Sequence, residues 1–305
     1  MLRFGLCCGF IEQPIKFRTT TATALSRLNR EEALTKLALL GAANVSALAA
    51  ALRYCAAHRV GCFRVNSQVL PLRTHPQQGY SVRDLPNGEE IIQGFAQCGG
   101  FARRNNLRIS FHPDQFVVLN SPRSEVVTSS IAELEYQAEV AEWIGADVIN
   151  IHGGGAFGDK RAALSRFALG LERLSARARS KLTVENDDRI FTPADLLPVC
   201  RAQAVPLVYD VHHHRCNPDG LDERTVTEKA LETWNREPLF HVSSPLEGWH
   251  GPRPQRHHQH IDPRDFPPLW RDLVLTVEIE AKAKELAVAR LQAALATHSD
   301  ARGLN

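Results

Sequence analysis

A single (β/α)8 barrel, the TIM barrel, is the fold class this sequence predicts, with the loops of its C-terminal face free to meet a large ligand. Three observations carry that expectation. Eight short β-rich runs are spread along the 305 residues, helical patterns stand between them, and nearly every run ends on a polar residue that is costly to bury alone. An open, doubly wound sheet is the alternative. Such a sheet gathers its site at one switch point, whereas a barrel collects groups from many strands, and here the polar ends recur from strand to strand.

In chain order the runs are 2–8, 62–66, 107–112, 147–152, 182–185, 206–210, 238–241 and 274–280. Helical patterns cover 30–58, 88–105, 126–145, 161–180 and 225–234. Alternation of the two favours a parallel sheet covered by helices. Asn29 with Glu32 reads as a capping pair at one helix start, and Gly145 as the stop of another. Two irregular stretches, 13–29 with Lys16 and Arg18 and 245–262 with Arg253 and Arg256, become loops on the same rim, either solvated surface or substrate contacts. Neither repeat nor linker divides the chain, so one domain over residues 1–305 is expected, its last ~10 residues a tail.

Hydrophobic residues at 44% and charged residues at 23% are ordinary for a globular chain with a sizeable core, which excludes a disordered class. The net charge of +2 neither demands nor excludes a nucleic-acid partner. Seven scattered cysteines, odd in number and without a CxxC pair, argue against a disulfide framework and a structural zinc knot, and point to a reducing, cytoplasmic compartment. The apolar start at 4–11 lacks a basic leader and reads as the first strand. No stretch approaches the ~18 uninterrupted apolar residues of a spanning helix, so no membrane is expected.

Most of the thirteen histidines fall at strand ends or just after them: His75, His112, His152, His212 to His214, His241, His257, His258 and His260. Glu185, Asp210 and Glu280 occupy equivalent positions. A lone histidine there is more often a satisfied structural residue than a ligand. So many imidazoles and carboxylates in one bowl would repel or stay unsatisfied, and divalent cations relieve that cost. The set is too large for one ion and predicts two or three. Nitrogen and oxygen donors without thiolates favour manganese, zinc or iron over calcium or magnesium alone. Several such ions suit in-line attack on a phosphodiester, but related barrels serve sugar isomerases and epimerases, and spacing alone does not separate the two.

Longer motifs do. Ser110-Phe111-His112-Pro113-Asp114-Gln115-Phe116, Ile149-Asn150-Ile151-His152-Gly153-Gly154-Gly155-Ala156-Phe157-Gly158-Asp159-Lys160 and Thr183-Val184-Glu185-Asn186-Asp187-Asp188-Arg189 stand in this order. So do Thr74-His75-Pro76, Asp210 with His213-His214-Arg215-Cys216-Asn217-Pro218, His241-Val242-Ser243-Ser244-Pro245 and Glu280-Ala281-Lys282. From first strand to last helix the chain resembles the UV-damage endonuclease family. That resemblance implies a barrel related to endonuclease IV type abasic-site nucleases. It implies a manganese cluster, with zinc or magnesium as alternatives, and damaged double-stranded DNA as partner. Incision is implied immediately 5′ of cyclobutane pyrimidine dimers and 6-4 photoproducts, and at some other lesions. The ligand surplus favours a nuclease over an isomerase, metals at an attacking site disfavour a non-catalytic damage-binding module, and a monomer is expected for want of an apolar surface stripe.

Position by position, the resemblance implies His75, His112, His152, Glu185, Asp210, His213, His241, His257 and Glu280 as metal ligands. Glu185 and Glu280 are expected at the catalytic centre with Lys160, which after its Gly-rich turn reads either as a phosphate contact there or as a solvated lysine at a helix start. His213 follows the HHxxNP motif, although strand alternation from Asp210 would favour His212 or His214. His257 competes with His258 and His260, and Glu280 with Glu278. Gln115 and Phe116 match the pair inserted beside a lesion, where an aromatic and an amide fill the space of unstacked bases. The competing reading packs Phe116 under its own loop. Leu239 replaces a lysine that some relatives carry, and the first strand lacks their aromatic or asparagine, which implies different contacts at both places.

Overall fold

The structure, a computed structural model, describes residues 1–300. Eight parallel strands make one sheet: β1 (Leu2–Cys7), β2 (Cys62–Val65), β3 (Arg108–Phe111), β4 (Val148–His152), β5 (Leu182–Glu185), β6 (Leu207–Val208), β7 (Leu239–Val242) and β8 (Leu275–Ile279). Their order, β6-β5-β4-β3-β2-β1-β8-β7, leaves only the β6/β7 seam to be closed. A parallel bridge between Asp210 and His241 closes it, with the His241 N–H donating to the Tyr209 carbonyl at 3.0 Å. The expected TIM barrel is the observed fold.

Alternation along each strand sorts its residues between two environments. Phe63, Val65, Ile109, Phe111, Ile149, Ile151, Val184, Leu207, Phe240, Val242, Val277 and Ile279 join the core beneath the helices. Cys62, Val148, Val208 and Leu239 form a separate apolar cluster, the floor inside the barrel. The next inward positions, toward the C-terminal ends, are polar.

Helices α1 (Ala22–Leu25), α2 (Arg30–Ala57), α3 (Gly88–Arg104) and α4 (Ser124–Ile144) come first. They are followed by α5 (Lys160–Glu172), α6 (Ala176–Lys181), α7 (Pro193–Gln203), α8 (Val211–Cys216), α9 (Glu223–Leu231) and α10 (Glu285–Asp300). Asn29 and Glu32 make the capping box of α2, and Gly145 stops α4 at φ +71.

Several expectations shift. The helix expected at 161–180 is two, because the Ser175 hydroxyl accepts the Ala178 N–H and starts α6 afresh. Helix α7, with Thr192 as cap and Pro193 at its first position, lies where no helix was read. Loop 13–29 contains α1. Strand β6 stops at Val208, and Asp210 caps α8, so the histidine triplet sits on a helical turn rather than a strand. Helix α10 runs to Asp300, which removes half of the expected tail, and residues 301–305 lie outside the described residues.

By length and composition alone α2 is long and apolar enough to cross a membrane, with mean hydropathy 1.5 in its most apolar window, although polar residues interrupt its apolar run as expected. Its Leu37, Leu48, Leu52 and Cys55 are buried in the barrel's outer core. All seven cysteines are free thiols.

Candidate metal centre

The polar inward positions converge at the C-terminal mouth. Glu185, the last residue of β5, is fully buried at the centre. Its Oε2 accepts from Asn150 Nδ2 at 2.5 Å and lies 3.0 Å from His112 Nε2. Its Oε1 lies 3.2 Å from the Nδ1 atoms of both His213 and His241. His152 and His213 tilt against each other with ring centroids 5.9 Å apart, and His112 lies 5.1 Å from His152.

Asp210 reaches the site because Asn186 takes the place of a strand partner. The Asn186 amide accepts the Asp210 N–H at 3.0 Å and donates to its carbonyl at 2.9 Å. One Asp210 oxygen accepts the His213 N–H at 2.8 Å, which caps α8 and swings His213 inward. Sequence alternation fails here because the chain has left the strand.

Ligand atoms within 4.8 Å of one another make three groups: His112–His152–Glu185, His112–His241–Glu280 and Glu185–Asp210–His213. His257 stands at their edge, its Nδ1 3.8 Å from Glu280 Oε2. An antiparallel bridge between Pro245 and His257 folds the long loop after β7 back to that point. His75 belongs to none of the three groups. Its Nδ1 accepts the N–H groups of Gln77 and Gln78, both at 3.2 Å, which places the ring proton on Nε2, so that ligation through Nε2 requires the other tautomer.

Of the neighbours that competed in the sequence, all but His212 have other polar partners. His214 is tied at both nitrogens, to the Tyr209 hydroxyl and to Asp219, each at 2.9 Å. His258 Nδ1 accepts the His260 N–H at 3.0 Å, and both rings line a separate cavity. His212 is fully buried between Trp249 and His257, with neither ring nitrogen hydrogen-bonded. Glu278 lies one inward step below Glu280, where it accepts from the Ser110 hydroxyl and faces His241 Nε2 at 3.1 Å.

The donor set fits divalent cations. His152 Nδ1, Glu185 Oε1, Asp210 Oδ2 and both nitrogens of His241 are buried without a correctly directed hydrogen bond. Unpaired groups of this kind are costly unless something with positive charge satisfies them. His112 is oriented for it: Nδ1 contacts the Pro113 carbonyl at 3.1 Å, leaving Nε2 toward the cluster.

Electrostatics agree. Burial lowers His152, against the pull of Glu185. Burial also opposes charge on His213 and His241, but Asp210 and Glu185 outweigh it at His213, and Glu185 and Glu280 at His241, so both imidazoles are held well above their ordinary value. In turn His241 and His152 hold the Glu185 carboxyl well below its usual range despite its burial.

On the rim, Phe116 is 75% exposed at the tip of the turn after β3, its N–H held by Asp114 at 3.0 Å. It does not pack under its own loop. A cavity of about 640 Å³ opens beside it, with His75, Asp114 and Arg123 in its wall. Lys160, the first residue of α5, pairs with Asp195 at 2.9 Å and is half exposed.

Sequence reasoning passed over Arg64, which lies inward on β2 between Glu278 and Glu280. It also passed over Asn150 and Asn186 as supports and Phe157 as a second exposed rim aromatic. The signal was present for Asn150, a polar residue that interrupts an apolar strand at an inward position. Phe157 adopts φ +49, a conformation bulky residues seldom take outside functional loops.

A family model described as UV-endonuclease UvdE matches residues 2–304. A UV DNA damage endonuclease of Bacillus velezensis is 32% identical over 308 residues, covering 95% of this chain and 93% of that protein. The crystal structure of SacUVDE aligns with a TM-score of 0.87 at 27% identity, covering 98% of this chain and 99% of that one. Endonuclease IV from Thermus thermophilus shares the fold, with a TM-score of 0.62 at 15% identity and coverage of 97% and 99%.

Proposed function

The chain belongs to the UV-endonuclease UvdE family, and from that premise we propose that it incises damaged double-stranded DNA immediately 5′ of UV photoproducts. It is a DNA repair endonuclease acting on UV damage. The finer reading covers cyclobutane pyrimidine dimers, 6-4 photoproducts and other lesions that weaken stacking. The observation that supports it most is the set of buried, unsatisfied donor atoms at the barrel mouth, contributed by β4, β5, the β6 end and β7.

His75, His112, His152, Glu185, Asp210, His213, His241, His257 and Glu280 are proposed to hold two or three divalent cations, manganese foremost, with zinc or magnesium as alternatives. Bound there, such ions supply Lewis acidity toward a phosphodiester and an activated water. The chain's own part is positional. Asn150 fixes one oxygen of Glu185, so that Oε1 remains for the shared centre between two groups. His213 and His241 must give up protons before they act as donors, which their carboxylate neighbours make harder. Lys160, at the start of α5, is proposed to meet a backbone phosphate in exchange for Asp195.

Gln115 and Phe116 are proposed to enter the duplex beside the lesion, where the exposed ring has little packing to give up. Exposed Lys16, Arg18, Arg253 and Arg256 on the two rim loops suit a long anionic substrate. The seven free thiols suit a reducing, cytoplasmic compartment, and a monomer is proposed because exposed large apolar side chains are scattered. The sugar isomerase or epimerase alternative is set aside, since the family match and the relative at 32% identity both point to an endonuclease.

The test is a duplex with one site-specific cyclobutane dimer, labelled at each end in turn. The expected products carry a 3′-hydroxyl and a 5′-phosphate at the bond 5′ of the dimer. Cleavage on the 3′ side, or at undamaged positions equally, overturns the reading.

A further inference from the structure

We infer that Arg64 is a resident cation of the metal centre that competes for Glu280 and so sets how weakly the ion of the His241–Glu280 group is held. This rests on the metal reading above. Arg64 is the inward residue two places after Cys62 of the barrel floor, and its side chain is 11% exposed. Its Nη1 lies 2.6 Å from Glu280 Oε1 and 3.2 Å from Glu278 Oε2, while its Nε is buried without a partner. The same Glu280 Oε1 lies 3.5 Å from His241 Nδ1. A guanidinium and a divalent ion held by His241 therefore claim one carboxylate oxygen.

Two further facts make this the vulnerable group. His112 appears in two of the three ligand groups, but its Nδ1 is engaged by the Pro113 carbonyl, so only Nε2 can ligate. One lone pair serves one ion. With Nε2 already 3.0 Å from Glu185, His112 serves the His152–Glu185 group, and His241–Glu280 is left to draw on His257, whose Nδ1 stands at the edge, 3.8 Å from Glu280 Oε2. Below His241 on the same face of β7 stands Leu239, in the apolar floor with Cys62, Val148 and Val208, and it offers no replacement.

Unlike an imidazole, a guanidinium does not shed its proton when a metal arrives. Arg64 holds Glu278 and Glu280 fixed and apart within the barrel, and its charge then repels the cation that Glu280 helps to bind. The centre is thus assembled before loading, and one of its ions is readily exchanged.

Mn2+ titration of the demetallated full chain, followed by the EPR signal of free Mn2+, tests this without reference to activity. The variants are Arg64→Met, Arg64→Lys, Glu278→Gln and the double variant Arg64→Met with Glu278→Gln. The double variant removes one carboxylate with the cation and so guards against misfolding. The weakest Mn2+ site should tighten at least ~10-fold in Arg64→Met, and equally in the double variant relative to Glu278→Gln, because a unit charge within a few ångströms is removed. Arg64→Lys, which keeps the charge, should stay within ~3-fold of wild type. A weakest site that is unchanged or looser in a variant that melts cooperatively overturns the inference alone. Wild-type protein that takes up no Mn2+ overturns the metal reading and this inference with it.

Discussion

Asp210 and His241 form the parallel bridge that joins β6 to β7, and the same two residues turn a carboxylate oxygen and an imidazole nitrogen toward each other, 4.0 Å apart. Barrel closure and the assembly of the site are thus one event. The backbone of this pair completes the fold, while Asp210 Oδ2 and both ring nitrogens of His241 are left unsatisfied.

Backbone and side chain can therefore be separated by substitution. Asp210→Asn keeps the oxygen that caps α8 and leaves the bridge intact, but removes a buried charge. Incision should fall by about 100-fold or more. The melting temperature of the metal-free protein should change little. A parallel loss of both, measured by melting and by incision of irradiated DNA, would show that Asp210 is structural only.

Metal and proton compete at His213 and His241. Both are held above their ordinary value, so their stabilising effect on the metal-free fold is full below the unfolded value of about 6.5 and is lost as pH rises through the folded value. Glu185 and Glu280 are held low, so their contribution is present above about 4.5 and is lost as pH falls. The metal-free protein should therefore lose stability as pH rises above about 6.5, and Mn2+ should restore it most at the alkaline end. Melting curves across pH, with and without Mn2+, check this. A metal-free melting temperature that rises through that window contradicts it.

The rim turn should be dispensable to the fold. Gln115 and Phe116 are both exposed, so Gln115→Ala with Phe116→Ala should shift stability by no more than about 0.5 kcal/mol. It should nonetheless abolish preference for irradiated over intact duplex. Incision at the parent rate would remove the wedge.

The Gly-rich turn after β4 should be intolerant. Gly154 sits at φ +83, and a Cβ there would lie 2.2 Å from the Asn120 amide oxygen and 2.5 Å from Val118. Asn120 also donates to the Gly153 and Gly155 carbonyls, at 2.8 and 2.9 Å, and so clamps the loop beside His152. Gly154→Ala should cost about 2–4 kcal/mol in urea unfolding. A change below about 0.5 kcal/mol would show that the clamp yields freely.

The barrel and most of its mouth were legible because each strand carries its own evidence: an apolar run, an alternation and a polar end. His152, Glu185 and His241 follow from that pattern alone. His213 does not, because Asp210 ends the strand and begins a helical turn, which changes the period from two to nearly four. There only the longer motif selected it. Arg64 was hidden for another reason. A basic residue within a strand reads as solvent-facing, and only the three-dimensional register sets it between Glu278 and Glu280. Likewise the split between α5 and α6 depends on one serine cap within a pattern that is otherwise continuous.

Nicking of UV-irradiated supercoiled plasmid by the demetallated protein with added Mn2+ tests the central claim most directly, against unirradiated plasmid and a chelator control. Conversion to open circles should require both irradiation and the metal, and should vanish with chelator. Equal nicking of unirradiated plasmid, or nicking that persists in chelator, would contradict a metal-dependent endonuclease directed to UV damage.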